Sequence, residues 1–138
     1  MNRLHRLLIR HEGFMSKPYE DTTGHITIGV GRNLDSVGLS RDEVLYLLNN
    51  DIERCDRELR HNFRWYLTLC RVRQDALINL CFNLGITRLL TFKKALAAME
   101  QGNFELAAEE FLDSKWAKQV GSTRSEDIAY MVSSGRYP

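Results

Sequence analysis

Residues 13–31 constrain this chain more than any other stretch, because they interrupt a sequence otherwise patterned for helices. Gly13, Gly24, Gly29 and Gly31 fall here, together with Pro18, one of only 2 prolines in the chain. Pro18 cannot continue a helix and pushes Lys17 toward extended geometry. From His25 onward the residues alternate, with Ile26, Ile28 and Val30 on one face and His25, Thr27 and Gly29 on the other. That is the pattern of a half-buried strand. Thr22-Thr23-Gly24 reads as a tight turn before it, so residues 18–30 are expected to form a β-hairpin. On this reading Thr27 points away from the apolar face toward a polar cleft, and Gly29 and Gly31 leave room for a ligand near the backbone. Upstream, Leu4, Leu7 and Leu8 recur at helical spacing. They predict a helix over 3–12, stopped by Gly13, with Glu12 as its last residue.

The remainder reads as helices. Ser40 and Glu43 form a capping box, followed by an apolar stripe of Val44, Leu48, Ile52, Cys55 and Leu59. Residues 72–84 predict a strongly apolar helix ended by Gly85. Thr91 is expected to cap a helix closing at Gly102, and Asn103 the next, through Phe111 and Leu112. Thr123 and Glu126 suggest a further capping box, opening a helix that carries Ile128, Met131 and Val132. The fold class is therefore α+β, predominantly helical with one small sheet. With 138 residues and 43% apolar content, the chain fits one globular domain with a single core.

Composition also excludes several roles. The formal net charge is +1, so no global field draws the chain onto nucleic acid or a membrane. Arg54, Arg57, Arg60, Arg64, Arg71 and Arg73 cluster in sequence, but Asp51, Glu53, Asp56, Glu58 and Asp75 interleave with them. That pattern favours a solvated helix face laced with ion pairs over a nucleic-acid stripe. The 3 cysteines, Cys55, Cys70 and Cys81, lie in apolar patterns and are expected to be free, buried thiols. Neither they nor His5, His11, His25 and His61 have metal-ligand spacing, so no metal or other cofactor is expected. The first residues hold only a short apolar run, too brief for a signal peptide or a membrane span. Trp116 and Phe111 read as core.

Glu12, Asp21 and Thr27 carry the chemistry. A lone glutamate at a helix end is usually solvated, and a lone aspartate at a turn usually bonds its own backbone. Two carboxylates and a small hydroxyl together are nonetheless sufficient to hydrolyse a glycosidic bond with water, one carboxyl acting as acid and the other holding the water. The order Glu12-Gly13, Asp21, Gly24, Thr27-Ile28-Gly29 and Gly31 resembles the signature of the phage-type lysozymes, the endolysins of glycoside hydrolase family 24, which include that of the T-even phages. The likeness continues through Ala76–Gly85, Phe92, Phe104–Ala108 and Ser114-Lys115-Trp116, and so covers most of the chain.

The resemblance implies a lysozyme-like fold in a single domain, 1–138. A minimal hairpin lobe over about 14–38 would be linked by a helix over about 40–60 to a helical lobe over about 61–138, which includes helix 3–12. It implies hydrolysis of the β-1,4 bond between N-acetylmuramic acid and N-acetylglucosamine in bacterial peptidoglycan, with inversion. Glu12 would be the general acid, and Asp21 with Thr27 would position the water. Phe82 and Asn33 would border the substrate, with Gly29, Gly31 and Arg124 in support; the family arginine matching Arg124 approaches the catalytic glutamate. The resemblance further implies a monomer made in the host cytoplasm, released to the wall by a holin or similar factor, with no nucleic-acid partner and no membrane insertion. Arg32 and Asn33 depart from the family pattern, the 33–39 connector is short, and a final C-terminal helix is not expected. The rival reading is a catalytically weak wall-binding or structural module on the same fold. Retention of Glu12, Asp21 and Thr27 together argues against it.

Overall fold

The computed structural model describes residues 1–138. The chain runs α1 (Arg3–Glu12), β1 (Met15–Glu20), β2 (Ile26–Gly29), β3 (Arg32–Asn33) and α2 (Arg41–Asn62). A 3-10 turn at Tyr66–Thr68 follows, then α3 (Arg71–Leu84), α4 (Ile86–Leu89), α5 (Lys93–Glu100), α6 (Phe104–Leu112), α7 (Lys115–Val120) and α8 (Ser122–Ser134). The expected α+β class, mostly helical with one small sheet, is what the chain adopts. It divides into two compact units, Met1–Leu47 and Leu48–Pro138.

In the first unit α1 ends at Glu12 as expected. Gly13 closes it with φ +85, its N–H donating to the Ile9 carbonyl at 2.8 Å. At the other end Asn2 and His5 form a reciprocal cap that the sequence reading overlooked. The sheet is antiparallel in the order β1-β2-β3. Tyr19, Thr27 and Asn33 are paired in register across its three strands. Pairing jumps from Met15↔Gly29 to Tyr19↔Thr27. This irregularity contains Pro18, which has no N–H to give the ladder.

Two expectations about the hairpin need correction. Its first strand begins at Met15, and a third strand, Arg32–Asn33, follows where a plain connector was expected. Arg32 explains that strand: one guanidinium nitrogen donates to Glu43 Oε2 at 2.6 Å and to the Gly38 carbonyl at 3.1 Å. The facing of β2 is also reversed. Thr27 is the residue that is buried, 3% exposed, whereas Ile26 and Val30 are 38% and 37% exposed. β2 is the central strand, so Thr27 is flanked on both sides. Its hydroxyl is satisfied locally by donating to the His25 carbonyl at 3.1 Å.

The Ser40–Glu43 capping box opens α2, each side chain bonding the other's backbone N–H at 3.2 Å. The apolar stripe of this helix is buried only in its second half, at Cys55 and Leu59, while Val44 and Leu48 remain exposed. In the second unit, α3 supplies Ala76, Leu77, Leu80 and Cys81 to the core. Leu89, Met99, Phe111, Trp116, Ile128 and Val132 join them from the later helices. Phe111 and Trp116 are thus core residues, as read. Asn103 caps α6 by accepting from the Leu106 N–H.

Thr91 does not cap α5. Its hydroxyl donates back to the Arg88 carbonyl at 2.6 Å, and the helix starts after Phe92. Nor does Thr123 cap α8, which begins at Ser122 behind Gly121 at φ +84. The buried Ser125 donates to the carbonyls of Gly121 and Ser122. Of the cysteines, Cys55 and Cys81 are buried and Cys70 is exposed, because Cys70 precedes the first turn of α3. Half of the clustered arginines form helix-face ion pairs: Arg54 with Asp51 and Glu58, Arg60 with Asp56, and Arg71 with Asp75. Arg73 instead donates to the carbonyls of Val132 and Ser133 and lies 3.7 Å from the Phe104 ring centroid. It closes the C-terminal end of α8.

Candidate active site

Three side chains singled out from the sequence belong to the first unit, and its short elements fix each of them. Glu12 is the last residue of α1, so its Cα is held by the helix ladder. Its carboxyl lies against the backbone of Gly31. A Cβ at Gly31 would stand 2.9 Å from Glu12 Oε2 and 3.1 Å from its Cδ. The glycine is needed twice over, since its φ is also +69. The role expected of Gly31, room for a ligand, is therefore revised: the open space receives Glu12 itself. Gly29 shares the positive φ, and nothing lies within 4 Å of where its Cβ would be.

Asp21 occupies the turn between β1 and β2, and its side-chain bonds all converge on one oxygen. Oδ1 accepts from the Thr23 N–H at 2.9 Å, the Thr23 hydroxyl at 2.8 Å and the His25 N–H at 2.9 Å. The His25 N–H, then the Thr23 hydroxyl, and more weakly the remaining donors hold the Asp21 carboxyl below its ordinary 3.8. Three donors on Oδ1 leave Oδ2 as an open acceptor. Thr23 Oγ1 also lies 2.6 Å from His25 Nδ1. With its proton given to Asp21, the Thr23 hydroxyl accepts from a protonated Nδ1. Thr23 and His25 are the members of this cluster that sequence reasoning underrated. The available signal was an aspartate two residues before a threonine, a spacing at which side chain and backbone bond locally.

Thr27 is the only buried residue of the first unit, and with Ser125 one of two buried polar residues in the chain. Because its hydroxyl proton goes to His25, its lone pairs remain free to accept. Asn33 lies opposite Thr27 on β3. Its Oδ1 accepts from the Ser36 N–H at 3.0 Å, so half of its side-chain amide is engaged in the following turn.

The other two candidates belong to the second unit. Phe82 projects from α3 and is 43% exposed despite the apolar helix that carries it. Arg124 on α8 donates through Nε to Asn79 Oδ1 on α3 at 3.1 Å. No group of three or more His, Cys, Asp or Glu side chains converges as a metal site. No helix is long and apolar enough to cross a membrane.

Residues 9–127 match the family model described as phage lysozyme. The chain belongs to the phage lysozyme family. It is similar to probable T4-type lysozyme 1 of Dictyostelium discoideum, at 27% identity over 90% of this chain and 89% of that protein. It is also similar to the pre-baseplate central spike protein Gp5 of Enterobacteria phage T4, at 25% identity over 94% of this chain but 27% of that protein. This lysozyme is an enzyme of the peptidoglycan-hydrolysing, cell-wall-degrading class.

Proposed function

We propose that this lysozyme cleaves the β-1,4 bond between N-acetylmuramic acid and N-acetylglucosamine by single displacement with inversion, acting as one lysozyme-like domain. The observation that carries the reading is the arrangement at Asp21: a carboxylate kept ionised by three donors on one oxygen, with the other oxygen open. Asp21 Oδ2 and the Thr27 lone pairs are two acceptors for one water. A water donating both protons to them turns its own lone pair toward the anomeric carbon. As that bond forms, the water's proton passes to Asp21, and the glycosidic oxygen leaves with a proton from Glu12. Inversion requires the two carboxyl groups to stand roughly 6.5–9.5 Å apart, leaving room for this water.

Glu12 must carry a proton when substrate is bound. Its side chain is exposed in the free protein. Gly31 sets the direction in which the acid is presented. By the family resemblance Phe82 is read as a substrate contact and Arg124 as a supporting residue, while the Asn33 amide N–H2 group offers a donor beside Thr27 and Gly29 supports the turn at the end of β2. The reaction needs no metal. The protein is read as a monomer that reaches the wall with the help of a separate release factor such as a holin.

The test is clearing of a peptidoglycan suspension by wild type and by Glu12→Gln. The amide keeps the volume and the backbone but cannot donate the acid proton. Loss of at least the ~10²-fold worth of general acid catalysis, with an unchanged thermal melt, is the expected result. Equal clearing by both proteins would refute the assignment of Glu12.

A further inference from the structure

The second unit carries a groove of about 500 Å³ that none of the residues above explains. Its floor is a pair of rings, Phe63 and Trp65, stacked with centroids 4.9 Å apart and planes inclined by 30°. Phe63 is the buried member of the pair, and Trp65 is partly exposed. Around the rings stand Asn62, Arg64, Lys93 and Glu100, all exposed. The arginine ion pairs of the chain use Arg32, Arg54, Arg60 and Arg71, leaving Arg64 and Glu100 available to a ligand. Asn62 spends one amide proton on the Glu58 carbonyl and keeps its carbonyl oxygen free.

A rigid aromatic face with donors and acceptors at its rim matches the two-sided chemistry of a pyranose ring. The ring's C–H face is apolar and packs on an indole, while its hydroxyl and acetamido groups point outward in the ring plane. A flat apolar peptide would leave the charged rim unused. We propose that this groove is a second carbohydrate site of the lysozyme, holding an N-acetylhexosamine unit of a wall glycan strand while another part of the polymer is cut. The inference rests on the peptidoglycan reading above for the identity of the polymer. All lining residues lie in the second unit, whereas Glu12, Asp21 and Thr27 lie in the first. Two modest sites on one long polymer raise the retained fraction through effective concentration, without either needing to be tight.

The experiment uses the full chain carrying Glu12→Gln, so that glycan is bound but not cleaved. Its co-sedimentation with purified sacculi is compared with that of the same protein carrying Trp65→Ala, or Arg64→Ala with Glu100→Gln. In parallel, tryptophan emission is followed while a hexamer of N-acetylglucosamine is added. The chain has 2 tryptophans, and Trp116 is enclosed at 3% exposure, so a sugar-dependent shift reports Trp65. The expected results are a shift that disappears with Trp65→Ala and a loss of sacculus retention of roughly 2- to 10-fold, the worth of one aromatic stacking contact. The rim variant, whose changes lie on exposed side chains, should lose retention with an unchanged melt. Equal retention by all three proteins would overturn the proposal. So would weaker retention of the Trp65 variant without an emission shift in its parent, because that pattern traces to damaged packing. Clearing of sacculi by the wild-type protein checks the peptidoglycan reading separately.

Discussion

Gly31→Ala tests the geometry of the acid proposed at Glu12 more sharply than removing that carboxyl does. The new methyl carbon would stand 2.9 Å from Glu12 Oε2, 3.1 Å from Cδ and 3.3 Å from Cβ. Carbon atoms rest comfortably at about 3.5–4.0 Å, so the Cδ contact alone demands a displacement of roughly 0.4–0.9 Å. The Glu12 backbone is held by α1 and closed by the Gly13 N–H to the Ile9 carbonyl. The carboxyl therefore has to swing by rotation about its side-chain bonds. A misplacement near 1 Å costs up to about 10²-fold in rate, so a loss of roughly 10- to 100-fold is expected.

Gly29 supplies the control. Its φ is also +69, with nothing within 4 Å of where a Cβ would be. Gly29→Ala and Gly31→Ala should share the penalty of an L-residue at positive φ, about 1–2 kcal/mol each, visible as similar falls in melting temperature. Only Gly31→Ala should add the large loss of lytic rate. The assay is initial clearing of sacculi, normalised to folded protein, beside thermal melts of both variants. Matching rate losses in the two alanine variants would refute the reasoning, because backbone strain would then account for everything.

Thr23→Val removes the hydroxyl donor to Asp21 Oδ1 and leaves both N–H donors. The Asp21 pKa rises toward its ordinary value, so the acid limb of the pH–rate profile moves to higher pH; an unmoved limb would argue against Asp21 as the ionised partner. The sign for stability follows from the same bonds. A depressed folded-state pKa contributes stability above the ordinary 3.8 that is lost as pH falls through the folded value, and Thr23→Val should shrink that acid-side dependence in equilibrium unfolding. Asn83→Ala strips the acceptor from the buried Trp116 Nε1–H, now bonded at 2.8 Å. It should cost about 1–3 kcal/mol in denaturant unfolding, and a near-zero change would mean the indole finds another partner.

What could be read in advance divides by the range of the forces involved. Helices α1, α3 and α6 were legible because each combines apolar spacing with a local stop or cap: Gly13, Gly85 and Asn103. Thr91 and Thr123 misled because a threonine near a helix start has two local options. Thr91 took the other one, bonding back to the Arg88 carbonyl. The alternation in β2 revealed which side chains share a face but not which face is covered, since that depends on β1 and β3 flanking it. β3 itself was hidden because two residues carry no periodicity, and its anchor, Arg32 on Glu43, spans 11 residues. Arg73 looked like its solvated neighbours for the same reason, its acceptor lying 59 residues away at Val132. At the candidate site, the residues were singled out through their resemblance to a signature. The contact of Glu12 with Gly31 and the three-donor hold on Asp21 exist only in the folded chain.

The first unit has almost no apolar interior, since Thr27 is its only buried residue. Polar bonds therefore fix its shape: Asp35 Oδ2 accepts from the Ile26 N–H at 2.8 Å, Ile26 in turn accepts from the Leu34 N–H at 2.8 Å, and Arg32 ties β3 to Glu43. The Arg32 guanidinium, followed by the Ser40 bonds, holds the Glu43 carboxyl below its usual range. A lobe built this way contributes little hydrophobic stabilisation, but its hydrogen bonds are directional. Direction is what the water-positioning role proposed for Asp21 requires. The Thr23 and His25 bonds that close the turn are the same bonds that keep Asp21 ionised and aim its free oxygen. Turn formation and charge state are thus one event, and a substitution that loosens the turn should alter the acid limb of activity before it alters the apolar core of the second unit.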